Sequence, residues 1–168
     1  RLARAQGVKP SEITACILDR PRHEALIQAA RKTGASIRLI TDGDVAGVIH
    51  TANPTETGID IYMGVGGAPE GVLAAAALRC IGGQMQGRLQ TKSAEQKKRA
   101  HGMGISDFEK KLTLHDMASG DVMFAATGVT DGSMLSGVRF LKDSIQTETV
   151  VMRSATGTVR WIRNIKKI

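Results

Sequence analysis

Through the first two-thirds of the chain, short apolar runs alternate with helical stretches, the pattern of layered α/β structure. Ile13–Leu18 reads as a strand, followed by a helix over Arg22–Thr33 with Leu26, Ile27 and Ala30 on one face and Gly34 where the helix stops. Ile37–Ile40 is the next strand; it runs into Thr41-Asp42-Gly43-Asp44, after which Val45–Thr51 reads as a short helix. Asn53-Pro54 marks a turn, and Ile59–Met63 a third strand. A glycine-rich loop then leads into a helix from Pro69 or Glu70 to Cys80, stopped by Gly82-Gly83. Ser93–His101 is a charged helix, and Ser106-Asp107-Phe108-Glu109 has the spacing of a capping box.

Beyond about Lys111 the pattern changes. Leu112–Leu114, Asp121–Ala126, Thr149–Arg153 and Thr158–Ile162 read as strands, enriched in Thr and Val with glycine turns between them. No repeat or long linker interrupts the chain, so residues 1–168 form one α/β domain with a mixed sheet. The opening Leu2–Gln6, closed by Gly7, has the character of a helix end, and this start suggests a piece of a longer protein.

A chain of 168 residues with 42% hydrophobic and 23% charged residues has the balance of a globular protein. Its most apolar helix, Gly71–Cys80, is Ala-rich and too short to span a bilayer. Arg1-Leu2-Ala3-Arg4 lacks the apolar run of a secretory leader. Cys16 and Cys80 sit in apolar surroundings, as buried free thiols in a reducing cytoplasm do. The net charge of +7 fits anionic partners, phosphate metabolites or nucleic acid. Aromatics are only 3%, too few for base-stacking surfaces, which disfavours nucleic acid. The basic stretches Lys92–Arg99 and Arg160–Lys167 read as solvated surface.

Ligands of open α/β sheets bind where strands end and helices begin, and three such junctions carry more polar chemistry than a turn needs. The first is Asp19-Arg20-Pro21-Arg22-His23. Pro21 stiffens the segment, and the guanidinium fork of Arg20 or Arg22 suits phosphate; alternatively both are surface charges and Asp19 a cap. The second is Thr41-Asp42-Gly43-Asp44, whose carboxylates suit sugar hydroxyls or a divalent cation, or else cap a helix. The third is Gly66-Gly67-Ala68-Pro69-Glu70-Gly71. Here either glycine amides hold a phosphate while Glu70 meets a cation, or Glu70 merely matches the positive end of the helix it opens. The loop lacks the Lys-Ser/Thr of a P-loop and the dinucleotide fingerprint. The four histidines have no metal spacing, and Thr127–Gly132 reads as a loop between two strands.

Taken in order, Ile17–His23, Leu39–Ala46 and Gly66–Val72 resemble the class II fructose-1,6-bisphosphatases of bacteria. The resemblance continues through Arg79–Gly83, Gln86–Leu89, Phe124–Gly132 and Val151–Ser154. It covers essentially the whole chain but only the C-terminal half of the family's length. It implies the layered fold of metal-dependent sugar phosphatases, an αβαβα sandwich, and hydrolysis of fructose 1,6-bisphosphate to fructose 6-phosphate with Mn²⁺ or Mg²⁺, a gluconeogenic reaction in the cytoplasm. It further implies substrate contacts at Arg20, Pro21, Arg22, Asp42, Gly43, Asp44 and Gly67, and a metal ligand at Glu70. No catalytic residue is assigned to this chain. The family's Asp-Pro-x-Asp/Glu-Gly-Thr type motif is not found here, so the isolated chain is expected to be inactive, its partner being the missing N-terminal half. A non-catalytic sugar-phosphate-binding module is the alternative. Sedoheptulose 1,7-bisphosphate as a second substrate and assembly into a homo-oligomer stay open.

Overall fold

The computed structural model describes residues 1–168 and contains two larger sheets, with helices on and between them, and a separate two-stranded sheet. A short helix, α1 (Leu2–Gln6), ends at Gly7 and is followed by a 3₁₀ turn over Pro10–Glu12. Strands β1 (Thr14–Leu18), β2 (Ser36–Ile40) and β3 (Ile61–Tyr62) form a parallel sheet in the order β2-β1-β3. β1 pairs with β2 from Thr14↔Ser36 to Leu18↔Ile40, and with β3 at Ala15↔Ile61 and Cys16↔Tyr62. Four of the five residues of β1 are buried, which is why the strand reads as an unbroken apolar run: a central parallel strand is covered on both faces.

Successive side chains of β1 point to opposite faces. Ile17 packs against Ile27 and Ala30 of α2 (Glu24–Lys32). Tyr62, level with Cys16, belongs to the other face, with Val48 of α3 (Asp44–His50) and Ala74 and Leu78 of α5 (Ala68–Ile81). Between them, the Asn53-Pro54 turn continues as a single helical turn, α4 (Pro54–Thr57).

The far side of α5 meets the second sheet, where Ala77 and Cys80 pack against Phe124, Val150 and Met152. A helix shared by two sheets is apolar nearly all round, and its Ala74, Ala75 and Ala77 allow close approach from both. The second sheet is antiparallel. β8 (Ser144–Arg153) pairs along its whole length with β9 (Thr158–Lys167). Its other edge is shared by β6 (Met123–Thr127) and β7 (Arg139–Phe140). A small hairpin-like pair, β4 (Gln86–Gly87) with β5 (Leu112–Thr113), and the helices α6 (Ala94–Gly102) and α7 (Leu114–Met117) complete the chain. The layers run helix, parallel sheet, helices, antiparallel sheet, which is the α/β layering expected.

Several elements differ from their sequence reading. The helix placed over Arg22–Thr33 begins with a 3₁₀ turn at Pro21–His23, and α2 starts only at Glu24. Ser106–Glu109 is not helical; the Asp107 carboxylate accepts from the Glu109 amide in a local turn. The capping box is at Thr113 and Asp116, so Leu114, read as strand, opens α7. The last two strands are ten residues each rather than five. Their polar halves, Ser144–Glu148 and Arg163–Lys167, carry little hydrophobic signal and are strands because each pairs with the other.

The solvent-accessible surface is 11263 Å². A free-standing monomer of this mass exposes about 8,000 Å². Only 26 of the 168 residues are buried, while Trp161 on β9 is 56% exposed opposite the fully buried Val150 of β8. α5 packs on both β8 and β9, and β9 pairs only with β8, so its outer edge is unpaired.

Candidate functional site

The three polar junctions lie at the carboxyl ends of β1, β2 and β3, so the parallel sheet brings them to one edge. Their side chains stitch the edge together. Arg20 donates through Nη1 to its neighbour's carbonyl, Asp19 O (2.9 Å), and through Nη2 to Thr41 O, tying the end of β1 to the end of β2. Arg22 Nε donates to Val65 O (2.8 Å), tying the same segment to the glycine loop after β3. Both NH₂ groups of Arg22 stay available, whereas those of Arg20 are already engaged. Arg22 is set by the 3₁₀ turn that Pro21 opens rather than by an α-helical first turn.

Gly43, at φ 68°, adopts the left-handed conformation that lets β2 turn sharply into α3. Asp44, the first residue of α3, accepts from the amide of Val45 through Oδ1 (2.9 Å). Its Oδ2 lies 3.5 Å from where a Cβ on Gly66 would stand, and Glu70 Oε2 lies 3.5 Å from the same point. The Asp44 and Glu70 carboxylates therefore flank Gly66.

Glu70 caps its own helix: Oε2 accepts from the Gly67 amide (2.8 Å). A Cβ at position 67 would stand 2.9 Å from that oxygen, so any larger residue there would make the Glu70 carboxylate shift. The structure thus realises the capping alternative for Glu70 while leaving Oε1 without a backbone partner. No three His, Cys, Asp or Glu side chains gather into a group able to hold a metal ion. The two carboxylates, Asp44 and Glu70, are too few to complete the oxygen-ligand set of a divalent cation.

Two residues that sequence reasoning passed over hold this edge in shape. His23 is 1% exposed; its Nδ1 donates to Leu18 O (2.8 Å) and its Nε2 accepts from the Val65 amide (2.9 Å). The ring serves as a clamp between β1 and the glycine loop. The sequence signal was its position directly after the Arg-Pro-Arg segment. Tyr62 ends β3 beneath the same loop. Burial, then the nearby Asp44 carboxylate, push its phenol up to about 12; Arg22 and Glu70 are also close enough to act on it.

Asp42 takes a different place. With Thr41, Gly43 and Ala46 it lines one wall of a cleft of about 490 Å³, whose other wall is the loop Gly128–Leu135 between β6 and β7. Thr127 ends β6 and Gly128–Gly132 is a loop, and the fold brings that loop opposite the β2–α3 junction. The site therefore has two parts: Arg22, Asp44, Gly67 and Glu70 around the glycine loop, and Asp42–Gly43 facing the second sheet, with Arg20 and Pro21 bracing the junction between them.

A two-sheet α/β body with charged loops gathered at its parallel strand ends is consistent with a domain of the sugar-phosphatase type. A profile of the bacterial fructose-1,6-bisphosphatases, glpX-encoded, matches residues 1–166, and the chain belongs to that family. It is 42% identical to D-fructose 1,6-bisphosphatase class 2/sedoheptulose 1,7-bisphosphatase of Synechococcus sp. (strain JA-3-3Ab), over 92% of this chain and 48% of the relative. The protein of the same name from Trichodesmium erythraeum (strain IMS101) is 40% identical, again over 92% of this chain and 48% of the relative. The chain spans about half the length of the curated relatives it matches.

Proposed function

We propose that residues 1–168 are the C-terminal, substrate-binding half of a metal-dependent fructose 1,6-bisphosphatase. The whole enzyme adds water across the C1 phosphoester of fructose 1,6-bisphosphate and releases fructose 6-phosphate and phosphate, in the gluconeogenic direction and in the cytoplasm. The observation that carries this reading is the convergence of Arg22, Asp44 and Glu70 on the glycine loop, in a chain that belongs to this family.

Each group has a task suited to its chemistry. Arg22, held at Nε by Val65 O, presents its two NH₂ groups to a phosphate, the planar fork being matched to phosphoryl oxygens. Asp42 and Asp44 accept hydrogen bonds from sugar hydroxyls. Gly67 leaves room beside the loop for the ligand. Glu70, with Oε1 uncommitted, is one ligand of a Mg²⁺ or Mn²⁺ ion; a divalent cation, when bound, supplies charge neutralisation at the phosphoryl oxygens. The remaining carboxylates come from the other half. Two observations support such a partner: the relatives are twice as long, and the chain exposes far more surface than its mass requires.

In the full-length enzyme, Arg22→Ala is expected to raise KM for fructose 1,6-bisphosphate about tenfold or more with a smaller change in kcat. Glu70→Gln shifts the metal titration to higher concentration. Steady-state kinetics over substrate and over Mn²⁺ check both, and unchanged substrate and metal saturation in both variants sinks these roles. Turnover of fructose 1,6-bisphosphate by the 168-residue chain alone would refute the division of labour.

A further inference from the structure

The cleft between the two sheets has a wall to which no role has been given. One side is Thr41-Asp42-Gly43, beside the Arg20 segment; the other is the β6–β7 loop, contributing Thr130, Asp131 and Ser133. Leu39, Ile40, Ala46, Met134 and Leu135 make its apolar lining. Its volume, about 490 Å³, lies in the range of small-molecule pockets.

The β6–β7 loop is built as a rigid wall. Gly128 lies so close to Ser136 O that a side chain there would overlap the carbonyl, and a Cβ on Gly137 would stand 2.7 Å from the Asp131 amide nitrogen. Backbone bonds close the loop at Val138 N to Val129 O (3.1 Å) and Gly132 N to Leu135 O (2.9 Å). Leu135 is anchored in the core against the second sheet, and the Ser136 amide donates to Glu148 Oε2 (2.6 Å) on β8. Asp131 is fixed through Oδ1 alone, which accepts from the Gly137 amide (2.9 Å) and, more loosely, from Arg139 Nη2 (3.4 Å), leaving Oδ2 without a partner. Thr130, Asp131 and Ser133 are exposed at the tip of this scaffold.

Carboxylates and hydroxyls set over an apolar lining match a polyhydroxylated carbon chain: O–H groups donate to the carboxylates while C–H faces lie on Leu39 and Leu135. A phosphate would be repelled by Asp42 and Asp131 and belongs at the arginine side. We propose that Thr130, Asp131 and Ser133 form, with Asp42, a sugar-recognition wall that reads the hydroxyls of the substrate's carbon chain while its phosphate rests toward Arg22. This rests on the sugar-phosphate reading of the same edge and adds to it a set of specificity-determining residues on the second sheet.

Calorimetric titration of the 168-residue chain with fructose 6-phosphate and, separately, with inorganic phosphate tests it. The wild-type chain is expected to bind the sugar phosphate more tightly than phosphate. Asp131→Asn, which keeps the Oδ1 acceptor for Gly137, should weaken fructose 6-phosphate about tenfold, and Thr130→Val about fivefold, with phosphate affinity unchanged in both. Circular dichroism and thermal midpoints identify a variant that has lost its fold, and Ser133→Ala then provides a third substitution at the exposed tip. If fructose 6-phosphate binding is insensitive to these substitutions, or falls only in step with phosphate, the wall has no role while the arginine-side reading stands. If the wild-type chain binds neither ligand, the substrate-binding reading fails and the wall fails with it.

Discussion

Single atoms decide whether the glycine loop is a site or a slack turn. Val65 is the hinge point: its carbonyl accepts from Arg22 Nε, and its amide donates to His23 Nε2. Both partners sit in one short segment after β1, so the first and third junctions cannot move independently. His23→Ala removes the clamp, leaving the Leu18 carbonyl and the Val65 amide without partners and opening a cavity at a site now 1% exposed. A loss of about 2–4 kcal/mol is expected, read from the shift in urea midpoint. Faster amide exchange at Val65 should accompany it, and unchanged exchange there would show that the loop is held by other contacts.

At the scale of elements, the tether between the β6–β7 loop and β8 is electrostatic as well as steric. The Glu148 carboxylate accepts from the Ser136 amide, which holds its pKa below the ordinary 4.5. A carboxylate whose folded-state pKa is depressed contributes stability that is fully present above its unfolded value and is lost as pH falls through the folded one. The loop is therefore expected to stay tethered at neutral pH and to loosen only below about 4.5. The Ser136 amide resonance, followed by NMR during acidification, should titrate with a midpoint under that value, and Glu148→Gln should abolish the transition. A midpoint at or above the ordinary value would contradict the tether. The same antiparallel sheet ends in β9, an edge ten residues long with Val159, Trp161 and Ile165 exposed. Unpaired edges of that length invite pairing with another chain.

For the whole molecule, surface area is the telling quantity. The chain exposes roughly 3,000 Å² beyond a monomer of its mass, an excess on the scale of a permanent interface. Trp161, the only tryptophan, is a built-in reporter of that surface. Acrylamide quenching of its fluorescence is expected to fall severalfold in the full-length enzyme relative to the 168-residue chain. Equal quenching in both would place the covering half elsewhere and leave β9 as a solvent-facing edge.

The α/β alternation, the parallel strands and the three strand-end junctions were legible along the chain because each rests on local signals: apolar runs, helix stops at glycine, and charged residues at turns. So were the buried states of Cys16 and Cys80. The chain alone could not show the length of β8 and β9, whose polar halves become strand only by pairing with each other. Nor could it show His23 as a clamp, since its two partners, Leu18 and Val65, meet only when β1 and β3 lie side by side. The cleft between Asp42 and the Gly128–Leu135 loop is decided the same way: its walls are more than eighty residues apart, and packing both sheets on α5 is what brings them face to face. Local pattern marked the polar strand ends, and tertiary packing determined which of their residues stand together, because proximity depends on distances that sequence spacing does not encode.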